Sequence, residues 1–151
     1  MPTKDEVLAR YRSDFDPKTC RAIRDLWKHH SVCEDNRDVE GILTTLSDDA
    51  VYEIVNTEYV WKGKAGCAQF YRELLTAIPD AKFELQQIVI GPQGVFEEAI
   101  LSGHHRGDFR DRKATGNPIR TTVGIYFPWK ESEGLFSGER VYVNVDSVFG
   151  A

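Results

Sequence analysis

The sequence has no basic excess, no long apolar run and no paired set of cysteines. Nineteen Lys and Arg stand against 24 Asp and Glu, for a formal net charge of −5. That balance offers no electrostatic footprint for nucleic acid or for an anionic membrane surface. No stretch of about 18 or more apolar residues occurs, so no membrane-spanning helix is expected. Cys20, Cys33 and Cys67 are odd in number and irregular in spacing, which argues against a disulfide framework. The first residues, Met1 to Glu6, are charged and lack a signal-peptide core, and the expected location is the cytoplasm. Internal repeats, low-complexity segments and interdomain linkers are also missing.

What is there suits one soluble domain with a core. The chain has 151 residues, 41% of them hydrophobic and 28% charged. Residues 1–16 read as a polar arm and 17–151 as a single domain. Asp16-Pro17 is a helix start, because Asp caps free N–H groups and Pro suits the first helical position. Ile23, Leu26, Trp27 and His30 then follow helical spacing. A second helix is expected from Val39 to Leu46, a turn at Ser47-Asp48-Asp49, and short strands at Ala50–Val55 and Glu58–Trp61. Gly63 to Gly66 opens a third helix with an apolar stripe through Cys67, Phe70, Tyr71 and Leu74, and Pro79-Asp80 stops it.

After that the pattern is nearly all strand. Phe83 to Ile90 pairs through Gly91-Pro92-Gln93-Gly94 with the stretch Gly94–Gly107. A charged loop spans 107–118, and two long strands, Ile119–Trp129 and Leu135–Phe149, complete the chain. Helices first and antiparallel strands last is an α+β layout. In Gly94–Gly107 side chains alternate faces, so Glu97 and His105 share one side and Glu98 and His104 the other. Glu97 and His105 are about 26 Å apart along the strand at ~3.3 Å per residue, so any partner of His105 must come from another strand. Glu97 and Glu98 read as cross-strand ion-pairing sites.

Asp48-Asp49-Ala50-Val51-Tyr52, Gly63-Lys64-Ala65 with Phe70-Tyr71 and Ile78-Pro79-Asp80, Leu101-Ser102-Gly103-His104-His105-Arg106-Gly107, and Gly138-Glu139-Arg140-Val141-Tyr142 occur in an order that is familiar. Over roughly residues 17–146 the chain resembles the SnoaL-like polyketide cyclases, or ester cyclases, of the nuclear transport factor 2-like superfamily. The resemblance implies a cone in which N-terminal helices pack on a strongly curved mixed, mainly antiparallel sheet around an apolar pocket. It also implies ring closure by acid–base chemistry with no metal and no cofactor. The family's catalytic aspartate on the last strand falls at Val141 here, and valine transfers no proton. Asp146 or Glu139 could stand in only if the strand bulges or shifts.

The expected catalytic set is therefore His105, Glu53 and Asp146. His105 holds the family's histidine position, and Glu53 interrupts an apolar strand expected to border the pocket. Trp27, His30, Trp61, Phe70, Tyr71 and Val141 are expected to line the ligand site, with His30 a wall residue. His29, His30 and Cys33 have ligand spacing but no further cluster completes a metal site. The expected function is cyclase, dehydratase or isomerase chemistry on an apolar carbonyl compound. The alternative is a binding or dimeric adaptor module of the same fold, favoured by Val141. The expected partners are an apolar small molecule and a second copy through the outer sheet face.

Overall fold

The computed structural model describes residues 2–151. In chain order its elements are α1 (Lys4–Arg12), α2 (Pro17–Asp35), α3 (Val39–Leu43), β1 (Leu46–Ile54), β2 (Val60–Lys62), α4 (Gly63–Ala77), β3 (Lys82–Gly91), β4 (Gly94–His104), β5 (Pro118–Lys130), β6 (Leu135–Tyr142) and α5 (Val145–Phe149). The strands form one sheet in the order β2-β1-β6-β5-β4-β3. Neighbours are antiparallel except β1 and β6, which run parallel. This is an α+β fold, with helices packed on a curved mixed sheet.

Local chemistry sets the helix starts. The Asp16 carboxylate accepts from the Thr19 backbone N–H at 2.9 Å, and Pro17 opens α2. Asp38 likewise accepts from Gly41 N–H at 2.9 Å and starts α3. α1 is closed by a reciprocal Thr3–Glu6 capping box but buries none of its side chains.

Two strand boundaries differ from expectation, for identifiable reasons. The helix expected to reach Leu46 stops at Leu43, and Ser47-Asp48-Asp49 lies within β1. Phe136 N–H of β6 bonds to Thr45 O at 3.0 Å, so the parallel partner draws the chain into the sheet early. The final strand, expected to run to Phe149, ends at Tyr142. The Asn144 side chain accepts from Asp146 N–H at 3.1 Å and turns the chain into α5, which buries Val148 and Phe149.

The core lies between helices and sheet, with Ile23, Ile42, Tyr52, Val95, Phe127 and Phe136 among its fully buried members. One irregularity positions the site. The pairing of β6 shifts on both its flanks, and Gly138 sits there at φ +124°. Any Cβ at that position would collide with the Val51 backbone, so glycine is required. Beyond this bulge Glu139 and Val141 are buried on the helix side, while Arg140 and Tyr142 face outward. Among the described residues no helix is long and apolar enough to cross a membrane.

Candidate active site

Two compartments meet between the helices and the sheet. An outer one of about 540 Å³ opens between α2, β3 and β4, with Trp27, Phe83 and Glu97 in its wall. An inner one of about 40 Å³ is almost wholly apolar, walled by Phe70, Phe109, Val141, Val148 and Phe149. Glu34 and Tyr71 line both, so they stand at the junction.

A hydrogen-bonded set occupies that junction. The Tyr71 hydroxyl lies 2.7 Å from Glu34 Oε1, 3.1 Å from Glu139 Oε1, 3.3 Å from His30 Nε2 and 3.2 Å from the Tyr52 hydroxyl. His30 Nε2 is 3.0 Å from Glu139 Oε1 and 3.7 Å from Glu34 Oε1. His30 Nδ1 is 2.6 Å from Thr45 Oγ1, whose single proton goes to Ile42 O at 2.7 Å. Thr45 therefore accepts from His30 Nδ1–H, which leaves Nε2 to face Glu139. The shortest contact of Tyr71 directs its proton to Glu34.

The surroundings set the protonation states. Burial alone would lower the His30 imidazole, but hydrogen bonds to Glu139 and Glu34 and their charges outweigh it and lift it to about 10. His30 is thus an imidazolium donating through both nitrogens. Burial pushes the Glu139 carboxyl up, His30 opposes that, and the charge of Glu34 adds to it. Glu97 is pushed up to about 8, first by burial and then by the charges of Glu34 and Glu139. Burial and the charge of Glu139 hold the Tyr52 and Tyr71 hydroxyls well above the usual phenol range.

The residues expected to be catalytic are placed elsewhere, and none of the three hydrogen-bonds another. His105 is fully buried at the end of β4, with Nδ1 3.2 Å from Thr115 Oγ1 and its ring edge-on to Phe149 at 5.2 Å. Its backbone bonds to Asn117 O and Gly116 N–H, so it anchors the loop before β5. It lines neither compartment. Glu53 shares its face with the half-exposed Val51, the outer one, and pairs with Arg140, its register partner on β6. Asp146 lies in the first turn of α5, where it pairs with Arg112 at 2.7 Å.

Of the expected lining residues, Trp27 borders the outer compartment, Phe70 and Val141 the inner one, and Tyr71 both. His30 stands directly behind Tyr71 at the centre of the polar set rather than in a wall. Trp61 borders neither: it packs edge-on against Phe70 at 4.9 Å and donates its indole N–H to Glu73 at 3.0 Å.

Sequence reasoning passed over Glu34 and left Glu97 as a surface pair. Glu34 follows His30 by one helical turn, a spacing that places both on one face. Glu97 faces the pocket because its parity matches the buried Val95, Ala99 and Leu101. His30, Glu34 and Glu139 also offer one ligand atom each within 4.8 Å of one another, a trio close enough to share a cation. His30 Nε2 already bonds to Glu139, so as built the trio is a hydrogen-bonded set.

Comparison with known proteins agrees with this architecture. The family model described as SnoaL-like polyketide cyclase matches residues 19–133. A structure described as a polyketide cyclase from Xanthomonas campestris superposes with a TM-score of 0.69 at 18% identity, over 87% of this chain and 96% of that one. One described as SnoaL-like, from Jannaschia, gives 0.71 at 15% identity, over 93% and 96%. TerC, co-crystallised with polyporic acid, gives 0.65 at 11% identity, over 82% and 92%. No curated protein resembles the sequence closely enough to count as a match.

Proposed function

The chain belongs to the SnoaL-like polyketide cyclase family, and from that premise we propose that it is an acid–base enzyme acting on an apolar carbonyl compound bound where its two compartments meet. The observation that carries this reading is Tyr71, which lines both compartments and whose hydroxyl contacts Glu34, Glu139 and His30. Glu34 is the base. It takes a proton from the carbon next to the substrate carbonyl, and the electron pair moves onto the carbonyl oxygen. Once protonated, Glu34 no longer accepts from Tyr71, whose O–H turns to the new enolate oxygen and stabilises it. Glu34 then returns the proton at another carbon or to a leaving hydroxyl, giving isomerisation or dehydration; alternatively the enolate carbon attacks a second carbonyl to close a ring, and the alkoxide formed there takes the proton back from Glu34. The His30 imidazolium, oriented by Thr45, holds Glu139 and Tyr71 in place. The reaction needs no group beyond these side chains. That a neighbour of this fold was crystallised with a small organic acid supports a ligand site here.

The test is exchange of the α-hydrogens of 1-tetralone for deuterium in heavy water, followed by NMR. The protein accelerates exchange, and Glu34→Gln and Tyr71→Phe each lower the rate by about 100-fold or more. Unchanged exchange in E34Q removes Glu34 from the chemistry. No acceleration by the unmodified chain favours binding without chemistry, the reading to which Val141 at the family's acid position points.

The chain pairs with a second copy through the outer sheet face, where Val89, Phe96 and Tyr142 are exposed and the Phe96 and Tyr142 rings lie 6.3 Å apart. Cys20, Cys33 and Cys67 are unpaired thiols, in keeping with a reducing cytoplasm.

A further inference from the structure

The charges around the outer compartment are unevenly distributed. At its exposed rim Asp35 and Glu84 are matched by Arg37 and Lys82. Toward its floor Glu97 and Glu34 face the cavity with Glu139 behind them, and His30 is the one cation among these groups. Glu34 receives a hydrogen bond from Tyr71, and Glu139 one from His30. None reaches the Glu97 carboxylate, although the residue is only 6% exposed. The Trp27 indole N–H, which has no hydrogen-bond partner, lies close enough to favour its ionised form, but it ranks behind burial and the charges of Glu34, Glu139 and His30. A buried carboxylate that borders a cavity with no partner in the protein is costly. A ligand cation would supply the missing partner, and the aromatic wall at Trp27 is a surface on which an organic ammonium gains a further attraction.

We propose that the outer compartment binds an organic ammonium group, held by the Glu97 carboxylate and seated against Trp27, so that the substrate is a carbonyl compound carrying a cationic nitrogen. This deepens the reading of the cavity as the substrate site and rests on it. Glu34 and Tyr71 keep their roles at the junction, and Glu97 serves recognition. Since Glu97 sits near 8 in the free protein, the cation ionises it and a proton leaves on binding. Lys82 and Arg37 stay at the rim, and the His30 charge, lost only near 10, stays constant over the range that matters.

The experiment is calorimetric titration of the full chain with choline and with its neutral carbon isostere 3,3-dimethylbutan-1-ol, between pH 6 and 9. Choline does not titrate there and needs no turnover, so the outcome is independent of the exchange assay. Choline binds at least about tenfold more tightly than the isostere near pH 8. Its affinity rises about tenfold per pH unit below about 8 and then levels, with a proton released into the buffer. Glu97→Gln, of the same shape, removes both the preference and the pH dependence, and Trp27→Leu weakens choline binding by several-fold. Equal affinity for the two probes overturns the proposal. So does a preference that survives in E97Q, or, should that variant not fold, one that survives undiminished in W27L.

Discussion

At the scale of single residues, the buried titratable groups around the cavity make stability depend on pH. Glu97 is raised to about 8 by burial, so its neutral form suits the fold. An unfolded chain ionises the same group near 4.5, so it holds fewer protons than the native state between about 4.5 and 8, and stability falls across that window. His30 is raised to about 10 by its carboxylates despite burial. Its contribution is complete below about 6.5 and is lost as pH rises through about 10. Both groups act in the same direction, and the raised Glu139 joins them. The melting temperature should therefore be highest in mild acid, about pH 5 to 6, and fall steadily toward pH 9. Glu97→Gln should raise it at pH 8, by roughly 2 kcal/mol or more of stability, and by much less at pH 5. Thermal melts across pH check both. A melting temperature that climbs between pH 6 and 9 would contradict the assigned protonation states.

At the scale of elements, one glycine places one acid. Gly138 carries the bulge in β6 at φ +124° with no room for a Cβ beside Val51. A regular strand would keep the parity of Phe136 and turn Glu139 away from the helices. The extra residue reverses it and buries Glu139 beside His30. Gly138→Ala should cost roughly 2 kcal/mol or more, through the left-handed backbone and the collision together. It should also lower the exchange rate of the folded fraction, because Glu139 and Tyr71 lose their mutual position. Denaturant melts with turnover per folded molecule separate the two effects, and a fully active, fully stable G138A would show that the bulge does not matter. The bulge was readable only in part: Gly138 before Glu139 hinted at it, but nothing local distinguishes a bulge glycine from a turn glycine. α5 was missed for a similar reason. Val141 to Phe149 alternates well enough for a strand, but the Asn144 cap turns the chain into α5 although β5 runs on to Pro118.

At the scale of the whole molecule, the sheet has a worked inner face and an outer face with exposed apolar side chains. Phe96→Glu should shift the proposed dimer toward monomer in sedimentation velocity while leaving the exchange rate within about twofold, since Phe96 faces away from both compartments. An unmodified chain that sediments as a monomer at all concentrations would sink the dimer. The order of residue types determined the fold class, the helix caps at Asp16 and Asp38 and the hairpin at Gly91–Gly94, because these depend on periodicity and on contacts within a few residues. Trp27, Phe70, Tyr71 and Val141, expected from the sequence to line a ligand site, border one or both compartments. Only the tertiary structure decided which acids meet. Glu53 and Glu139 sit on strands that pair in parallel, one residue out of step in facing, so one points out to Arg140 and the other in to His30. His30, Tyr71 and Glu139 are far apart in the chain, and their meeting depends on how α2 and α4 lie across a bulged strand. A linear pattern carries the face on which a side chain lies. Which faces come together is settled by packing.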